Sequence, residues 1–284
     1  MPVDQDELLP SFDRPPVGEV ALVVQIDQLH AMRNVDFFRL WSQTELQHLY
    51  PSIEEYQELP EFREIFTPGM PIGAISPRWV LSAGPARTVA RYNFRSNDRK
   101  EQFQVQRDRI AFFWHSGYPP QPYPRFPVLL EKFVRDYAIF TEFVKGRGWG
   151  DVTPNQCAIS YNNVIPRGEG WDSPQDLGNV VTFYRNEYSR PLQDNLTVES
   201  ANALLTLVRR EQDGLTGRMY VSLGPRDRQP EEPDSVELEI IMRGPPPTPD
   251  IDGARKFFEA GRRAIVTTFE SVTTKQMHTI WGKR

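Results

Sequence analysis

Apolar runs separated by proline clusters predict an α+β fold: two tandem βαβββα units forming antiparallel sheet(s) packed against long amphipathic helices. Two observations carry this reading. A strand, a proline cluster and a long aromatic-faced helix occur in that order at 110–145, and the same order recurs at 235–273. Each occurrence follows two further strand-like segments, and each half opens on an apolar strand. Proline before a helix is common by itself, because its missing N–H is not needed there, so the weight rests on the shared order of whole elements. The predicted boundaries are an extended leader over 1–17, a first repeat over 18–150 and a second over 151–284. The repeats close into one compact pseudo-symmetric body, because pairing the sheets or sharing the helices buries both apolar faces. The groove at their seam is then the place for a partner or ligand.

The leader carries four prolines and four acidic residues and ends where GEVALVVQI begins. That near-continuous apolar run, bounded by Pro16 and Asp27, predicts a buried first strand. From Ala31 to Tyr50 the residues Val35, Phe38, Leu40, Trp41, Leu46 and Leu49 recur near helical spacing until Pro51, which predicts one amphipathic helix. Residues 51–76 are rich in proline and acid and predict a long surface loop or short helical turns. Strand chemistry resumes with WVLSA at 79–83, and 84–100 reads as a mobile extension of a hairpin. EQFQVQ at 101–106 alternates, with Phe103 and Val105 on one face and three glutamines on the other. A tight reversal at Arg107 and Asp108 leads into the strand IAFFWHS at 110–116. Five prolines within 117–127 then introduce a helix over 126–145, whose inward stripe is Phe126, Leu129, Leu130, Phe133, Tyr137, Phe140 and Phe143.

The second half opens with QCAISYNNVI at 156–165. A short helix is predicted near 174–180, with an extra strand or a lid over 181–192. Three strands follow, one within 195–211, then GRMYVSLGP at 217–225 and SVELEIIMRG at 235–244. The last predicted element is a helix over 250–273 that turns Phe257, Phe258, Ala264, Ile265, Phe269 and Val272 inward.

Composition narrows the function classes. With 39% hydrophobic and 25% charged residues the chain has ordinary globular usage. Its 38 acidic residues outnumber 33 basic ones, for a formal charge of −5, so no global positive field draws in nucleic acid. A local cluster, Arg87, Arg91, Arg95, Arg99, Lys100, Arg107 and Arg109, reads as solvated strand and turn charge around a hairpin. The single cysteine, Cys157, favours a reducing, cytoplasmic location and a packed core role. No run approaches 18 apolar residues, which predicts no membrane span.

No phosphate loop, dinucleotide fingerprint or metal-ligand spacing is present, so neither a cofactor nor a metal is predicted. His30, His48, His115 and His278 are scattered. Tyr161, Asn162 and Asn163 interrupt an apolar strand with three hydrogen-bonding groups, the pattern of a cleft-facing surface or of a solvated edge. Arg107 and Arg109 in QRDR offer two guanidinium forks to an anion. Two aromatic–histidine clusters, Trp114 with His115 and His278 with Trp281, lie beside the two long helices.

Several strings taken together, SFDRPPVGEVALVVQID, QVQRDRIAFFW, YPRF, PNQCAISYNN and TTKQMHTIWGKR, span nearly the whole chain in order. In these the chain resembles a sporadically distributed, functionally uncharacterised prokaryotic family of similar length, known mainly through a numbered family model. It departs from that pattern by extra residues at 84–100 and 166–194. The resemblance implies no catalytic residue. The scattered distribution of such a family suggests an accessory gene, for instance in a defence or toxin-related system.

Absent a catalytic constellation, the leading expectation is a non-enzymatic binding or adaptor protein that engages a protein partner or a second copy of itself. A small-molecule sensor with a pocket lined by Tyr161, Asn163, Trp114 and His115 is one alternative. A hydrolase or nuclease using His115 or His278 with a nearby carboxylate is the other.

Overall fold

A computed structural model describes residues 9–61, 64, 90–184, 198–211, 214–227 and 231–284. Its strands are β1 (Val17–Ile26), β2 (Ser52–Gln57), β3 (Ala90–Arg95), β4 (Glu101–Gln106), β5 (Arg109–His115), β6 (Pro154–Pro166), β7 (Ala203–Glu211), β8 (Gly214–Pro225) and β9 (Ser235–Gly244). All join one antiparallel sheet in the order β2-β3-β4-β5-β1-β6-β9-β8-β7. Outward from the central β1–β6 pair the order is β5-β4-β3-β2 on one side and β9-β8-β7 on the other. The long helices are α3 (Phe126–Gly146), which follows β5, and α4 (Ile251–Val272), which follows β9. The molecule is a mixed α+β fold with a large antiparallel sheet, as the sequence predicts.

Period-two alternation assigns each strand two faces. On β1 the residues Val20, Leu22, Val24 and Ile26 enter the main core, while Ala21 and Val23 face the other way. At the central pair Leu22 lies opposite Ile159 and Val24 opposite Cys157. The helices cover the apolar face, and Phe133 of α3 meets Phe258 of α4 edge to face at 5.3 Å. Gly261 lets α4 approach the sheet, since a Cβ there would lie 2.6 Å from Cγ2 of Ile159. Asp250 caps α4 by accepting from the Gly253 N–H at 2.7 Å.

After α4 the chain forms a short helix, α5 (Lys275–Ile280), absent from the sequence-based expectation and capped by Thr274. The leader docks on it. Phe12 is buried against Phe269 and Trp281, and the backbones join through Asp13 N–H to Gly282 and Arg14 N–H to Trp281, both at 3.0 Å.

Four expectations are corrected. The helix over 31–50 is two helices, α1 (Asn34–Ser42) and α2 (Leu46–Leu49), where the Thr44 hydroxyl turns back to donate to the Leu40 carbonyl. Val35 and Phe38, expected inward, are exposed at 47% and 51%, and Phe37 is buried instead. The surface loop over 51–76 begins as strand β2, because β3 supplies the ladder partners that the sequence does not reveal. Within 84–100, expected to be a hairpin extension, 90–95 are β3, a full member of the sheet. The predicted 79–83 strand and residues 185–192 of the predicted lid lie outside the described residues. The predicted short helix near 174–180 is a 3₁₀ turn over Pro174–Asn179.

Beneath the first half of the sheet, Tyr50 donates to the buried Asp136 carboxylate, and Arg135 pairs with the same group at 2.8 Å. Burial pushes Asp136 up to about 6, against the downward pull of Tyr50 and Arg135. A carboxyl whose folded pKa lies above its unfolded one holds its proton more tightly in the native state. Its contribution is therefore full below about pH 4 and is lost as pH rises through about 6. Thermal melts should accordingly show the advantage of the native chain over Asp136→Asn shrinking between those limits and flat above them; a gap that widens with pH contradicts the assignment.

Candidate functional site

The sheet face opposite the long helices is polar, and it carries the candidate site. Its centre is a floor of small apolar side chains, Ala21, Val23, Ala111 and Ala158, with Phe113 beside it. Above this floor lies an open cavity of about 640 Å³. From the first half come Arg91, Asn93 and Arg95 on β3, Gln102 and Gln104 on β4, and His115 on β5. From the second come Asn162 on β6 and Glu237 and Glu239 on β9, with Asp227 nearby.

Ladder register explains this convergence. His115 is opposite Glu19, Glu19 opposite Asn162, and Asn162 opposite Glu239, so one row of polar side chains runs across four strands. A second row runs from Asn93 to Gln104 and on to Ala111 and Val23. Within the first row the His115 ring donates from Nδ1 to Glu19 at 3.0 Å and lies parallel to Phe113 with centroids 6.2 Å apart. The carboxylate and the phenyl together hold the ring in one orientation.

Charge is divided across the groove. On the β3 side, Arg95 and Arg99 share Glu54 at 2.8 and 3.5 Å, and Arg91 lies over the Tyr56 ring at 5.2 Å. Burial pulls the Arg91 guanidinium down from its usual range. Carboxylates line the β9 side. Among the described residues, two amide oxygens of the groove, Oδ1 of Asn93 and Oδ1 of Asn162, accept no hydrogen bond, and Asn93 is only 5% exposed. Buried acceptors without a donor are expensive in a folded protein.

The chain covers part of this face itself. The Arg109 guanidinium donates to Gln25 at 3.3 Å and to the Pro60 carbonyl at 3.0 Å, while Gln106 bonds both ways with the Leu59 backbone. Glu64 reaches the second half, accepting from Arg218 and from the Tyr220 hydroxyl at 2.7 Å.

The sequence-predicted residues divide among three places. Tyr161, Asn162 and Asn163 do not share a surface, because successive strand side chains alternate. Tyr161 and Asn163 are buried on the helix side, Tyr161 sharing a hydroxyl contact with Tyr123 at 2.9 Å and Asn163 donating to the Leu238 carbonyl. Asn162 alone faces the polar groove. The same alternation separates Trp114, packed against Tyr123 on the helix side, from His115. A single pocket of Tyr161, Asn163, Trp114 and His115 is therefore not formed. Arg107 and Arg109 do not make an anion fork, since Arg109 is buried and already committed while Arg107 occupies the turn.

His278 and Trp281 lie on or beside α5. The Thr273 hydroxyl donates to the Phe269 carbonyl at 2.6 Å, which leaves it to accept from Nε2 of His278 at 2.9 Å. Burial and the nearby Lys283 charge pull the His278 pKa down. That ring ties α5 back to Thr273 at the end of α4 and does not line the groove. Trp281, 2% exposed, is a core residue. Cys157 is buried, and burial pushes its thiol up, as expected of a packed residue.

Glu19, Asn93, Glu237 and Glu239 are not singled out by the sequence reading, and Gln102 and Gln104 enter it only as the polar face of a strand. The available signal was the polar half of each alternating strand, the glutamines of EQFQVQ and the glutamates of SVELEIIM. Among the described residues no cluster of three or more histidine, cysteine or acidic side chains is placed to hold a metal. None of the described helices is long and apolar enough to cross a membrane. Comparison with protein-family models, curated proteins and solved structures gives no match.

Proposed function

We propose that this chain is a non-enzymatic binding protein that holds an extended, charged segment of a partner protein in the polar groove across the β1–β6 seam. The carrying observation is the groove's polarity, with arginines of β3 on one wall and glutamates of β9 on the other, and with an amide oxygen on β3 (Asn93) and one on β6 (Asn162) that have no hydrogen-bond partner among the described residues. From β3 to β9 is five strand spacings, about 24 Å. That length suits about seven residues of extended chain better than one metabolite. Peptide N–H groups supply the donors that Asn93 and Asn162 lack, and acidic and basic side chains meet the two walls.

The mirrored order of β5-β4-β3 and β9-β8-β7 about β1 and β6, with β2 added beyond β3, supports a tandem duplication, with the site at its seam. On this reading the polar face is where the two copies differ most. The far wall of the first copy, β3, contributes cations and that of the second, β9, contributes anions, so the groove reads the direction of its ligand.

Calorimetric titration with peptides carrying acids at one end and bases at the other tests the proposal. One orientation is expected to bind, and Glu239→Lys is expected to weaken it roughly tenfold or more, the effect of losing one charge-assisted contact. Binding that ignores peptide polarity and the substitution alike would remove the proposal.

One observation favours a second reading. His115 is oriented by Glu19 inside the same groove, the geometry of a general base. If the chain hydrolyses esters or phosphodiesters, His115→Ala abolishes turnover; unchanged turnover in that variant ends this reading.

A further inference from the structure

We propose that β7 pairs with β7 of a second copy of this chain, antiparallel and centred on Thr206, so that two sheets continue into one. Two edges end the sheet, and they differ. β2 is six residues long and carries Glu54 and Glu55, the charged, short form that resists edge pairing. β7 is nine residues long, and its centre reads Leu204, Leu205, Thr206, Leu207, Val208. Among the described residues no strand lies beyond it. Leu204, Leu207 and Val208 are 47%, 42% and 39% exposed, three of the large apolar side chains that the protein leaves in solvent.

The sequence of this edge complements itself. A two-fold axis perpendicular to the sheet opposes residues of equal parity, because each must stay on its own face. Centred on Thr206, the pairing sets Leu204 against Val208 on the polar face and Leu205 against Leu207 on the helix face. Arg209 then meets Ala203, and no like charges face each other from 203 to 209. Moving the centre to Leu207 places Arg209 against Leu205 and Arg210 against Leu204. Moving it to Leu205 places Val208 against Asn202 and Thr206 against Leu204. Of the three registers, the one centred on Thr206 pairs Leu204, Leu205, Leu207 and Val208 with one another and leaves none of them against a charge.

The wild-type chain should sediment at twice its mass at rising concentration, and Leu204→Lys combined with Leu207→Lys should return it to monomer. Cysteine placement reads the register directly. Thr206→Cys stands opposite itself and is expected to cross-link under mild oxidation, since the buried Cys157 does not compete. Leu204→Cys alone is expected not to cross-link, but to do so when mixed with Val208→Cys. A chain of monomer mass at every concentration overturns the proposal, as does a dimer that survives both lysines. Cross-linking of Leu204→Cys alone as readily as Thr206→Cys overturns it too.

Discussion

Phe133→Ala is expected to lower the free energy of unfolding by about 3–5 kcal/mol, the range for emptying a fully buried aromatic site. Phe133 has no solvent exposure, and its ring meets Phe258 at 5.3 Å with planes at 86°. It also packs on Tyr137 one turn further along α3 at 5.9 Å. The contact with Phe258 is where the two long helices share one core, so its loss loosens both halves. Phe258→Ala is expected to cost a similar amount. The double variant should cost less than the two single losses added, by about 0.5–1.5 kcal/mol, the coupling of an aromatic pair. Urea unfolding of the four chains measures this cycle. Strict additivity would mean that the helices are stabilised independently.

The second large effect is expected at Glu64. Its side chain is 1% exposed and meets the Arg218 guanidinium, itself 18% exposed, while its backbone N–H donates to Gln156 at 2.6 Å. Burial first, and then the Glu64 carboxylate, push the Tyr220 hydroxyl up to about 12. Removing one partner of a buried pair leaves the other charge desolvated, so Glu64→Ala should destabilise by about 3 kcal/mol or more. Pairing it with Arg218→Met should recover much of the loss, because an apolar pair of similar volume carries no stranded charge. If the double variant is as unstable as the single, the cost lies in packing and not in charge. Since Glu64 ties the chain after β2 to the far half of the sheet, its loss is also expected to change access to the groove.

Much of the fold was legible because strand and helix signals are local. The alternation in EQFQVQ and SVELEIIM and the aromatic stripes of α3 and α4 are written within single elements, and each element was found. β2 was not, because SIEEYQ lacks a strand's apolar pattern and is ordered by its ladder with β3. Helix α1 was found with its inward face misjudged, since Phe37 and Phe38 are equally apolar and only packing chose between them.

The candidate site was less legible than the fold. The sequence marks Asn162 and His115 as unusual polar residues but groups them with Tyr161, Asn163 and Trp114, which point to the other face. Composition and periodicity by themselves determined that this chain folds as α+β with amphipathic strands and two long helices. Tertiary structure alone decided that β1 lies between β5 and β6. That neighbourhood sets His115, Glu19, Asn162 and Glu239 in one row although they are far apart in sequence. A strand's alternation specifies that its polar side chains share a face, but it does not encode which strand lies beside it, and the groove is made by that adjacency.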